Sequence, residues 1–118
     1  MSIRIEELAT LDFSDVATGQ RLEQVRPGDI LLHDFMESLG LTANALATAL
    51  RVPANRITGI LAATRGITAD TALRFARYFG TTPQFWMNLQ SYYDLRLAEI
   101  KVGGQIAREI PVHPAIAI

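Results

Sequence analysis

LTANALATALRVPANRITGIL, residues 41–61, decides how this chain folds. It divides into two short helical patterns around a tight turn. Thr42 stands where a helix N-cap belongs, its hydroxyl placed to accept from a free N–H of the first turn. Ala43, Leu46, Ala47 and Leu50 then recur at helical spacing. Arg51-Val52-Pro53 breaks the period, and Pro53 suits the first turn of a new helix. Ile57, Ile60 and Leu61 give that second helix its apolar side. The deciding residue is Ala47, because a bulky side chain where two helices cross almost perpendicularly would hold them apart. A small residue there, Val52 after the turn and β-branched Ile57 describe a helix-turn-helix. Its polar side presents Asn55, Arg56 and Thr58, residue types that reach base edges and phosphates. A helical hairpin with no nucleic-acid role shows small and apolar residues at similar intervals, so the spacing alone leaves both readings open.

The rest of the chain sets bounds. At 118 residues and 49% hydrophobic, it fits one domain with one core. The absence of Cys excludes disulfides and thiolate metal sites. No basic segment followed by an apolar run opens the chain, and no stretch of about 18 apolar residues occurs. Neither a signal peptide nor a membrane span is therefore expected, and the cytoplasm is the expected compartment. A net charge of −1 argues against a protein that coats nucleic acid all over. The distribution is more telling. Residues 1–40 carry eight acids and three bases, whereas residues 51–77 carry five arginines (Arg51, Arg56, Arg65, Arg74, Arg77) and one acid, Asp70. Positive charge gathers on and just after the second helix of the motif, as a phosphate-binding face needs. The acidic first third points to a different, basic partner.

Working outward, residues 1–26 hold scattered apolar residues without helical period and read as an extended N-terminal arm. Pro27-Gly28 closes it. Residues 29–39 form a helix with Leu31 or Leu32, Phe35 and Leu39 on one face and Gly40 as its stop. After the motif, Arg65-Gly66 turns the chain. Thr68 caps a further helix, with Asp70 in its first turn and Ala69, Ala72, Leu73 and Ala76 buried. Thr82 and Pro83 start a last helix whose face (Phe85, Trp86, Leu89, Tyr92, Tyr93, Leu97) is wide and aromatic. Gly103-Gly104 separates it from a tail in which Pro111 and Pro114 forbid a helix. Ile106, Ile110, Val112, Ile116 and Ile118 predict that this tail is extended and docked on its own domain or on a second chain. The divisions are thus residues 1–26, 27–100 and 101–118.

Catalysis finds little support. His33 and His113 lie in different segments with no carboxylate at ligand spacing, and no glycine-rich phosphate loop follows a strand. No catalytic residue, metal site or cofactor is expected.

Several blocks in order carry a resemblance: Pro27-Gly28, then Val52-Pro53-Ala54-Asn55-Arg56-Ile57, then Arg65-Gly66-Ile67-Thr68-Ala69-Asp70-Thr71-Ala72, then Phe85-Trp86-Met87-Asn88-Leu89-Gln90. With them residues 27–99 resemble the HigA-like antitoxins of the lambda-repressor-like (XRE) helix-turn-helix class. The resemblance implies an all-α, five-helix DNA-binding domain flanked here by the arm and the tail. It implies a homodimer that binds operator DNA, represses the shared operon and inhibits a small basic ribonuclease toxin of the HigB/RelE-like kind. Carried over position by position, Pro53, Ala54, Asn55, Arg56, Thr58 and Gly59 occupy the DNA-facing part of the recognition helix. Thr42 and Ala43 start the preceding helix, where backbone N–H groups meet a phosphate. Arg51, Thr64 and Arg65 complete the expected DNA-binding set. Two positions depart from the pattern: Arg51 stands at a turn usually held by Gly, and Ala62-Ala63-Thr64 replaces a usual Asn-Gly-Lys. A Gln common near the start of the motif is absent. Because Ala54 and Gly59 cannot read a base by hydrogen bond, sequence reading is expected to rest on Asn55 and Arg56. The alternatives are a stand-alone XRE-family transcriptional regulator without a toxin and, in another class, a protein-binding module that has lost DNA affinity.

Overall fold

The structure, a computed structural model, describes residues 25–116. All but the last two residues of the N-terminal arm lie outside that range. Five helices and no β-strand are present among the described residues. Helix α1 comprises an α-helical turn Pro27–Ile30, a π-helical stretch Leu31–Met36 and a closing turn Glu37–Leu39. It begins at Pro27 rather than at residue 29, because proline lacks an N–H and its φ is preset for a first helical position. Leu31, Phe35 and Met36 are buried, whereas Leu39 is 60% exposed. The wider π turn takes up an additional residue and rotates Leu39 off the predicted face. Gly40, at φ 66°, stops the helix.

Helices α2 (Ala43–Leu50) and α3 (Ala54–Leu61) form the motif. Leu46, Ala47, Leu50, Ile57 and Ile60 bury between them and the rest of the body, with Val52 packed against that core. The Thr42 hydroxyl accepts from Ala45 N at 3.1 Å, as an N-cap does. Pro53 is itself the extended N-cap residue of α3, one position before the helix. Gly28 explains why α1 can lie on α3: a Cβ there would stand 2.3 Å from the Ile60 carbonyl oxygen. Only a residue without a side chain permits that approach.

Helix α4 (Ala69–Phe79) is capped by Thr68, whose Oγ1 accepts from Thr71 N. Its buried face is Thr71, Ala72, Phe75 and Ala76. Ala72 and Ala76 therefore bury as expected, but Ala69 and Leu73 face solvent, Leu73 at 60% exposure. The large Phe75 fixes the helix phase, and positions 69 and 73 fall on the flank away from it.

Helix α5 starts at Pro83, with Thr82 as its cap. Trp86 is the hub of the core, its ring 4.8 Å from those of Phe35 and Phe75 and 4.9 Å from that of Phe85. Its indole N–H donates to Thr81 Oγ1 at 2.7 Å, which satisfies the one polar atom such a burial carries inward. The expected extended tail is corrected here. After Pro83–Ala98 the helix continues through a π-helical stretch Glu99–Gly103 and an α-helical segment Gly104–Glu109. Gly103 and Gly104 take ordinary helical φ and ψ, so the pair does not separate two segments and residue 100 falls inside α5. Pro111 ends helical propagation, and extended backbone begins at Ile110. Nor is this part docked on the chain's own described residues, since Ile106, Ile110, Val112 and Ile116 are all exposed.

Candidate nucleic-acid interface

The exposed side of the motif is built by α3 and the loop that follows it. Asn55, Thr58, Gly59, Ala62, Thr64 and Arg65 line one shallow concavity. The loop folds back on the helix because Thr64 N and Arg65 N both donate to the Gly59 carbonyl, at 2.9 and 3.2 Å. Thr64 Oγ1 adds a third donor at 3.3 Å. Gly59 has a steric role: a Cβ would stand 3.1 Å from that of Arg65. The structure thus brings together Asn55, Thr58, Gly59, Thr64 and Arg65 of the predicted set.

The other predicted residues sit elsewhere. Thr42, at the start of α2, is exposed, as are Arg51 and Pro53. Ala54 packs against the core and offers no polar atom outward. Arg56 is half-buried on the α4-facing flank of α3, and its Nη1 pairs with Asp70 Oδ2 at 2.5 Å. Asp70 also takes Arg74 Nε at 2.9 Å, while Arg74 Nη1 donates to the Leu50 carbonyl at 2.8 Å. One carboxylate therefore fastens α3 to α4, and Arg74 fastens α4 to the C-terminus of α2, where a cation suits the helix dipole. The hydrogen bonds from the Arg74 and Arg56 guanidiniums hold the Asp70 carboxyl below its usual 3.8, against an opposing effect of desolvation. The basic segment is accordingly divided. Arg56 and Arg74 share Asp70, whereas Arg51 and Arg65 are exposed with no ion pair to another described residue.

Sequence reading missed this fastener. The Asp70–Arg74 pair was findable from its i,i+4 spacing; the reach of Arg56 across fourteen residues was not. It also missed a carboxylate beside His33, whose Nδ1 lies 3.3 Å from Glu37 Oε1 four residues on. Among the described residues, no three His, Cys, Asp or Glu side chains gather as metal ligands would.

The profile of the helix-turn-helix domain family matches residues 30–84. Virulence-associated protein I of Dichelobacter nodosus is 52% identical over 83 residues, 70% of this chain and 77% of that protein. An addiction module antidote protein of a HigA family from Coxiella burnetii superposes with a TM-score of 0.73 at 47% identity, over 76% of this chain and 98% of that one. The chain belongs to the HigA-like helix-turn-helix family. The Pseudomonas aeruginosa antitoxin HigA, solved with the higBA promoter, matches with a TM-score of 0.73 at 43% identity, over 79% and 99% of the two chains.

Against the HigA-like pattern, the two departures in this sequence acquire a physical meaning. Arg51 and Ala63 are the non-glycine residues with positive φ among those described, at 61° and 62°. Each ends a helix of the motif: Val52 N reaches back to the Ala47 carbonyl, and Thr64 N to that of Gly59. Side chains stand here where the backbone favours glycine. No helix of the described residues is long and apolar enough to cross a membrane.

Proposed function

We propose that this protein is a cytoplasmic antitoxin that binds and neutralises a small basic HigB/RelE-like ribonuclease and represses its own operon by sequence-specific DNA binding. The observation that carries the reading is the concavity of Asn55, Thr58, Gly59, Thr64 and Arg65 on a HigA-like frame. Support comes from the Pseudomonas HigA, whose structure includes promoter DNA. In this reading Asn55 and Thr58 meet base edges, and Thr42, Arg51, Thr64 and Arg65 meet phosphates. Pro53 and Ala54 let the start of α3 approach the groove without a bulky side chain.

One such motif makes too few base contacts for a specific site, so a homodimer spans two half-sites about one helical turn apart. The apolar second half of α5, with Leu95, Ile100 and Ile106 exposed, supplies surface for that association. The basic toxin is assigned to the acidic N-terminal third, most of which lies outside the described residues.

Co-expression with the neighbouring gene and a gel-shift titration of the upstream DNA test the proposal together. Co-purification with a small basic protein whose toxicity this chain relieves, plus salt-dependent operator binding, is the expected result. Operator binding without a toxin partner returns the protein to a stand-alone regulator.

A further inference from the structure

We propose that Asp70 sets the operator discrimination of this interface by holding Arg56 and Arg74 off the nucleic acid, which makes Arg56 a positioning residue rather than a base reader. The inference rests on the DNA-binding part of the reading above and deepens it. Its basis is placement. Asn55, Thr58, Gly59, Ala62, Thr64 and Arg65 share the concavity, and Arg56 is not among its lining residues. Arg56 lies on the flank toward α4, half-buried, where the carboxylate of that helix's first turn receives it. The same carboxylate receives Arg74, whose remaining reach is spent on the Leu50 carbonyl.

The consequence is electrostatic. Non-specific affinity for DNA follows the number of cations free to displace counterions, and it carries no sequence information. Two arginines beside a recognition helix would raise that background. With Asp70 between them, the trio presents one net positive charge, and the arginines have fixed geometries that serve helix packing. An exposed ion pair taken singly is worth about fivefold at most in an equilibrium. A lone Arg56–Asp70 pair could therefore be exchanged for a phosphate. Here the carboxylate holds a second arginine too, and moving both onto phosphates would strand it near the phosphate backbone, which opposes the exchange.

Wild type, Asp70→Asn and Arg56→Gln are compared on the upstream duplex and on a scrambled duplex of equal length, between 50 and 200 mM salt, with thermal unfolding measured alongside. Asp70→Asn should bind the scrambled duplex several-fold more tightly. Its log affinity should fall more steeply with log salt, by about 0.9 for each phosphate newly engaged. The preference for the upstream duplex should shrink accordingly. Arg56→Gln should leave that preference within about twofold, whereas a base-reading arginine would lose roughly 5- to 150-fold. Unchanged salt slope and preference in folded Asp70→Asn, or a tenfold loss of preference in Arg56→Gln, overturns the inference. Should Asp70→Asn prove unfolded, the Arg56→Gln preference decides alone. A wild type that shows no preference for the upstream duplex refutes the operator reading instead, and the slopes on scrambled DNA then decide the role of Asp70. Binding to no duplex by any of the three removes both.

Discussion

The two halves of α5 have similar apolar content and opposite surroundings. Phe85, Trp86 and Leu89 are buried in a cluster of aromatic rings that α1 and α4 complete. Leu95, Leu97, Ile100 and Ile106, further along the same helix, stand 62%, 44%, 58% and 49% exposed. Hydrophobicity states that a side chain favours leaving water; it does not state what will cover it. In the first half, neighbouring helices of the chain supply the cover. In the second half these four side chains stay largely uncovered by the described residues, and the helix there carries local i,i+3 contacts such as Arg96 Nη1 to Glu99 Oε1 at 2.6 Å. Such segments are marginal on their own. A second copy seated on them would supply what the first half already has.

The sharpest way to break this comparison is to truncate one residue in each half. Trp86→Ala should destabilise the fold by about 3–5 kcal/mol, through lost transfer energy and the cavity left among Phe35, Phe75 and Phe85. Ile106→Ala should cost no more than about 0.5 kcal/mol in dilute protein. Urea unfolding at low concentration measures both. A large loss at Ile106 in a monomeric sample would show that the second half is packed after all.

Glycines give a second contrast. Gly28→Ala drives a methyl into the Ile60 carbonyl of α3, and overpacking of this kind costs about 1–3 kcal/mol. At Gly104 the nearest atom a Cβ meets is the flexible end of Arg108, 3.4 Å away. Gly104→Ala should therefore stabilise the helix by about 0.5–1 kcal/mol through the entropy that glycine loses there. Thermal unfolding should move the two midpoints in opposite directions, and a shared direction contradicts the contrast.

That contrast also shows what could be read from sequence. Thr42, Thr68 and Thr82 announced their helices because capping is local chemistry. Gly40 announced a stop for the same reason. Ala47 disclosed the crossing of α2 and α3. Gly103-Gly104 misled, because glycine only permits a break, and the helix runs on until Pro111 makes one obligatory. The phase of α4 was missed because four small or aliphatic residues were weighed above one Phe75. At the interface, the polar face of α3 was legible from helical period. Which of its side chains α4 would capture depended on a tertiary approach that no spacing within α3 encodes.

Arg51 offers a smaller and more pointed effect. Its left-handed backbone costs about 1 kcal/mol relative to glycine, partly offset because glycine gives the unfolded chain more freedom. Arg51→Gly should therefore stabilise the protein by up to about 1 kcal/mol. In the proposed interface the same change removes an exposed cation, so DNA affinity should fall and the salt slope should lessen by about 0.9. Stability and DNA binding then move apart. Coincident losses in both would mean that the Arg51 side chain supports the fold rather than a phosphate.

The smallest effect belongs to the polar fastener of the body. Arg74 and then Arg56 lower the Asp70 pKa below its usual 3.8. A carboxylate whose folded pKa lies below its unfolded one contributes stability that is complete above the unfolded value. As pH falls below about 3.8, the unfolded chain takes up the proton first, and the contribution disappears as pH passes through the folded pKa. Asp70 is exposed, so the loss is modest and salt weakens it further. Asp70→Asn removes the titrating group, and its acid limb should be shallower than that of wild type by this one contribution. Urea titrations at pH 7 and pH 3, in low and high salt, read the difference. Parallel acid limbs in the two proteins would show that Asp70 has the same pKa folded and unfolded, and that the fastener between α3 and α4 contributes geometry without measurable free energy.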